Sequence, residues 1–166
     1  MSLSGEVLIA ESAVPIQQLL SAIVMRNGLR PRVVADGDAA LALLGIRPAE
    51  VEAALEVPGP ELASHLPDVI LLELLLPRTS GFEVLRQLAA RAPHLLCRVI
   101  VITGIAPRQW AAAPGIDAVW SILHKPFDLD ALEKDLLDCY AECVHDETGK
   151  PSRRTGKHAP IARRAG

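Results

Sequence analysis

Five side chains in this sequence are of types that handle charge at a site: Glu11, Ser12, Glu73, Thr103 and Lys125. Short apolar runs come before them. Val7-Leu8-Ile9-Ala10 leads to Glu11, Val69-Ile70-Leu71-Leu72 to Glu73, Arg98-Val99-Ile100-Val101-Ile102 to Thr103, and Ala118–Leu123 to Lys125. Carboxylates are oxygen ligands for a hard cation such as Mg²⁺. An ammonium and a hydroxyl neutralise and hydrogen-bond an anionic group. Such chemistry requires one fold to gather residues that lie far apart along the chain.

The elements that would gather them alternate. Each apolar run suits a strand covered on both faces. Between runs, Ile16, Leu19, Leu20, Ile23 and Val24 repeat at helical spacing, with Gly28 placed as the stop. Arg32–Ala35 reads as the second strand, and Asp36 as the cap of a helix ending at Gly45. Ser80 and Glu83 form a capping-box pattern before Phe82–Arg91. The stretch Ile105–Gly115 is bracketed by Pro107 and Pro114, so any helix in it is short. The last helix begins at Asp128, with Phe127 and Leu132 as a hydrophobic staple and a core stripe of Leu129, Leu132, Leu136, Cys139 or Tyr140, and Cys143. Residues 46–66 read as an enlarged connection. Five strands alternating with helices predict a doubly wound parallel sheet, whose functional crevice lies at the strands' carboxyl ends. Those ends are Glu11-Ser12, Glu73, Thr103 and Lys125.

In that arrangement the chain resembles the receiver domain of bacterial response regulators, from about Glu6 to Val144. The family places an acidic pair after the first strand and a phospho-accepting Asp after the third. Ser or Thr follows the fourth strand, and Lys-Pro the fifth. The matching residues here are Glu11-Ser12, Glu73, Thr103 and Lys125-Pro126. The resemblance implies a flavodoxin-like (CheY-like) α/β fold with strand order 2-1-3-4-5 and helices on both faces. It also implies phosphoryl transfer to the acceptor, with Mg²⁺ held by the acids and the phosphoryl group contacted by Lys125 and Thr103.

Three residues depart from the family pattern. Glu73 carries one methylene more than Asp, and a displacement of ~1 Å can cost on the order of 10²-fold in a positioned reaction. Ser12 takes the place of a second acid, weakening the Mg²⁺ site to Glu11 and Glu73. Ile122 stands where many receivers carry an aromatic switch residue, with Trp120 two residues away on what reads as the same strand face. The expectation is a pseudo-receiver, not an enzyme, in which Glu73 either pairs with Lys125 in a degenerate pocket or imitates a phosphorylated Asp. The other readings are a weakly active or engineered acceptor at Glu73, and a nucleic-acid-associated regulator.

Composition frames the rest. Half of the 166 residues are hydrophobic but only 3% aromatic, so the core must be aliphatic. No apolar run reaches the ~18 residues of a membrane span, and a cytoplasmic protein with reduced cysteines is expected. Cys139 and Cys143 read as core positions rather than zinc ligands. Residues 145–166 carry six basic and two acidic groups, so within a net charge of −3 the preceding residues are strongly acidic. Disorder is the expected state of that tail, and nucleic acid is the less favoured partner because it offers no aromatics for stacking. Partners of the receiver type are a histidine kinase, an output protein or another receiver, including a second copy in a homodimer. Trp110 and Trp120 are the candidate interface residues.

Overall fold

The computed structural model describes residues 5–47 and 65–145. Within them the strands are β1 (Glu6–Ala10), β2 (Arg30–Val34), β3 (Val69–Leu72), β4 (Val99–Thr103) and β5 (Ser121–His124). All neighbours pair in parallel, in the order β2-β1-β3-β4-β5. The helices are α1 (Val14–Arg26), α2 (Gly37–Leu43), α3 (Gly81–Arg91), α4 (Pro107–Trp110) and α5 (Leu129–His145). The expected doubly wound, flavodoxin-like sheet is the one that forms.

Strand periodicity divides the core in two. Leu8, Ala10, Ile70, Leu72, Val99 and Val101 pack with residues of α2, α3 and α4. Val7, Ile9, Val69, Leu71, Ile100 and Ile102 pack with α1 and α5. The three central strands are therefore buried on both faces. Each such aliphatic side chain contributes roughly 1.5–3 kcal/mol by leaving water.

Local signals explain most element boundaries. Gly28 and Gly45 take positive φ (75° and 69°) just past α1 and α2, as glycine can after a helix. The Asp36 carboxylate accepts from the Ala39 N–H at 2.8 Å and caps α2. Ser80 Oγ accepts from the Glu83 N–H at 3.2 Å at the start of α3. Glu83 turns its own carboxylate to Arg86 and Gln87 instead of reaching back.

Two boundaries differ from expectation by more than one residue, and one core position differs as well. The edge strand β2 starts at Arg30, two residues early, because pairing with β1 recruits Arg30 and Pro31, which carry no strand signal of their own. β5 starts only at Ser121, since Ile116–Ala118 winds into a 3-10 turn. Leu129 is 44% exposed, so the core stripe of α5 begins at Leu132. The side chain of Cys143, most of the 46–66 connection (residues 48–64) and the tail (residues 146–166) lie outside the described residues.

Register delivers the strand ends to one edge of the sheet. Ala10 lies opposite Leu72, so Glu11 and Glu73 emerge side by side. Thr103 lies opposite His124, which puts Lys125 next to it. The order of strands reverses direction between β1 and β3, and a crevice opens at such a switch point.

Candidate functional site

Glu11 and Glu73 make the same local turn at the ends of neighbouring strands. Each backbone N–H stays in the sheet region: that of Glu11 donates to the Val34 carbonyl (3.1 Å) and that of Glu73 to the Ala10 carbonyl (3.0 Å). Each side chain curls forward to accept from the backbone N–H two residues on. Ala13 N lies 2.9 Å from Glu11 Oε1, and Leu75 N 3.0 Å from Glu73 Oε1. The second oxygen of each carboxylate meets the same ammonium, Lys125 Nζ, at 2.6 Å. Thr103 completes the group by donating its hydroxyl to Glu73 Oε1 at 3.0 Å.

The cluster is largely out of water. Glu11 is 2% exposed, Glu73 6% and Thr103 0%. Two buried carboxylates would be strongly unfavourable without a counter-charge, and Lys125 supplies it. Burial is the largest single influence on the ammonium and pulls its pKa down. The hydrogen bonds and charges of Glu11 and Glu73 together outweigh it, so the pKa stands above the ordinary lysine value. The backbone helps as well: Lys125 N donates to the Thr103 carbonyl at 2.8 Å.

The loop between β3 and α3 is pinned from outside, by residues that motif reading passed over. Gly81 packs so closely that an added Cβ would stand 2.1 Å from the Glu73 carbonyl oxygen. Gly37, at the start of α2, leaves only 1.8 Å between such a Cβ and the Thr79 carbonyl oxygen. Asp38 accepts from the Thr79 hydroxyl and pairs with Arg78 at 2.8 Å. These two contacts, with the Thr79 hydrogen bond the larger, hold the Asp38 carboxyl below its usual range. Arg78 itself has a positive φ of 63°, and no sequence signal marks it. The run Asp36-Gly37-Asp38 was legible as a helix start but not as a clamp on another loop.

A match to the response regulator receiver domain spans residues 7–137. The chain belongs to that family. The receiver fold is shared with solved structures of low sequence identity. One is the receiver domain of a sensor histidine kinase from Pseudomonas aeruginosa, with magnesium in its cleft: 21% identity, 84% of this chain, 99% of that chain, TM-score 0.63. A second is the receiver of an HD domain-containing protein from Pseudomonas fluorescens, at 20%, 86%, 99% and 0.66. A third is a CheY-like receiver from Methylobacillus flagellatus, at 19%, 82%, 99% and 0.61. No curated protein matches the chain. No described helix is long and apolar enough to cross a membrane.

Of the residues singled out in the sequence, the receiver brings Glu11, Glu73, Thr103 and Lys125 together. Ser12 is exposed at the rim. Ile122 is partly buried against the α2–α4 side of the sheet, whereas Trp120 packs on the α1–α5 side. The two therefore do not share a face. Trp120 precedes β5, and the irregular backbone there breaks the period-two count. Trp110 is not a surface residue. It is 6% exposed, with its indole N–H donating to the Ile105 carbonyl at 3.2 Å, because a four-residue α4 leaves a gap that the indole fills.

Proposed function

We propose that this receiver is a pseudo-receiver of two-component signalling, acting by protein–protein contact and not as an enzyme or phosphoryl acceptor. One observation carries the reading. Glu73, at the acceptor-equivalent position, already holds both Thr103 and Lys125, the two groups that in the family contact the phosphoryl group. The carboxylate imitates part of that interaction. Glu supplies one charge where a phosphoryl group carries ≈ −1.5 to −2.

The family, like the Pseudomonas aeruginosa relative, uses Mg²⁺ at this place. The donor set here does not fit it. All four carboxylate oxygens of Glu11 and Glu73 accept hydrogen bonds from the protein, and two of them face an ammonium at 2.6 Å. Ser12 offers a neutral oxygen where an acid would sit. Among the described residues no group of three His, Cys, Asp or Glu side chains is placed to hold a metal.

The partner class is a histidine kinase, an output protein or another receiver, a second copy included. The partner-facing region we favour is the remodelled segment around α4, through exposed Arg108, Gln109 and Ala111 rather than Trp110. The test is incubation with acetyl phosphate and Mg²⁺, read by intact mass. No phosphoryl adduct is expected, and a stoichiometric adduct would establish a working acceptor instead. Glu73→Gln is expected to perturb backbone NMR shifts at Thr103 and in α4. Unchanged shifts there would reduce Glu73 to a plain ion pair.

A further inference from the structure

Building on the pseudo-receiver reading, we propose that Lys125 is the resident cation of this pocket. It lies between Glu11 and Glu73, the two acids that would hold a divalent metal, and it holds the switch contacts together without one. The geometry is specific. Glu11 and Glu73 leave adjacent parallel strands and each gives its Oε2 to Nζ at 2.6 Å. Their other oxygens are committed to the Ala13 and Leu75 N–H groups of their own loops. The oxygens left to face one another are thus the pair that the ammonium occupies.

Charge and burial make the exchange for metal unfavourable. Two carboxylates and one ammonium leave a single negative charge, half of what the same two carboxylates would offer a divalent cation alone. Metal entry would strip Lys125, only 23% exposed in its side chain, of both acids at once. That would leave a largely buried cation beside a divalent one. The ammonium is also held at its root, since Lys125 N donates to the carbonyl of Thr103, whose hydroxyl donates to Glu73. One residue therefore ties three strand ends together.

Isothermal titration with MgCl₂ tests this on the full chain, with thermal denaturation in parallel. The wild type should show no binding heat and no Tm change. Lys125→Gln, which frees the two carboxylates, should melt lower and regain about 3 °C or more at saturating Mg²⁺. Lys125→Arg keeps the charge and should stay indifferent to Mg²⁺, which guards against a Gln variant that fails to fold. Mg²⁺ binding by wild type or by the Arg variant would overturn the proposal, as would a folded Gln variant that gains none. The outcome separates from that of the acetyl phosphate test. Mg²⁺ binding without an adduct defeats only the resident-cation inference, and an adduct without measurable Mg²⁺ binding defeats only the pseudo-receiver reading.

Discussion

The connection after β3 and the one after β4 leave neighbouring strand ends, yet they are held by different forces. After β3, residues 73–81 are held by charge and by close backbone approach: Lys125 on Glu73, Asp38 on Arg78 and Thr79, and two glycines with no room for a side chain. After β4, residues 105–119 carry four residues of helix and a 3-10 turn, and Trp110, Ile116 and Val119 fill the space. The first connection sets where a carboxylate points. The second sets the shape of a surface. A hydrogen-bonded path joins them, from Glu73 to Thr103 (3.0 Å), from Thr103 to Ile105 N (3.5 Å), and from the Ile105 carbonyl to Trp110 (3.2 Å). Its middle contact is long, so the two regions should be only weakly coupled.

The largest effect should come from the apolar region. Trp110→Ala removes a buried indole and should cost about 4 kcal/mol in urea denaturation. A loss below about 1 kcal/mol would mean the segment collapses easily and is not held by volume.

Next comes the charged region. Lys125→Met leaves two buried carboxylates without a counter-charge and should cost about 3 kcal/mol. The same residue predicts a pH dependence. Its folded pKa lies above the unfolded value, so its contribution is complete below the unfolded lysine pKa. It is then lost as pH rises through the raised folded value. A urea series on the alkaline side should therefore show wild type losing stability relative to Lys125→Met. A constant gap between the two would show that the ammonium is not what holds Glu11 and Glu73.

Gly37→Ala should cost about 2 kcal/mol, because its Cβ would be forced against the Thr79 carbonyl. The crowding should also shift the Glu73 amide in NMR spectra. An unperturbed Glu73 would show that α2 does not restrain the loop.

The smallest quantity is the coupling itself. A double-mutant cycle between Trp110→Ala and Lys125→Met should give an interaction energy of no more than about 0.5 kcal/mol. A larger value would make the path through Thr103 and Ile105 a genuine connection between pocket and surface.

Legibility in the sequence followed the physical range of each signal. Val69–Leu72 was readable to the residue, since a doubly buried strand bounded by Asp68 and Glu73 leaves little freedom. The Asp36 and Ser80 caps were readable because a cap satisfies donors two or three residues away. The exposed edge strand β2 carries a weaker signal, so its start reads two residues late. Trp120 reads onto the face of Ile122 but packs on the other, because period-two counting holds only inside a regular strand. Trp110 was ambiguous, since a tryptophan beside a shortened helix serves equally as plug or anchor until the gap is seen.

Residue types and order were enough to indicate the parallel α/β class and the strand-end residues, because burial patterns and motif spacing are local properties. Tertiary structure alone decided that Lys125 is shared between Glu11 and Glu73, that Thr103 donates to Glu73, and that α2 clamps the loop. Those contacts join residues 30 to 114 positions apart. No local preference encodes such distances; strand register does.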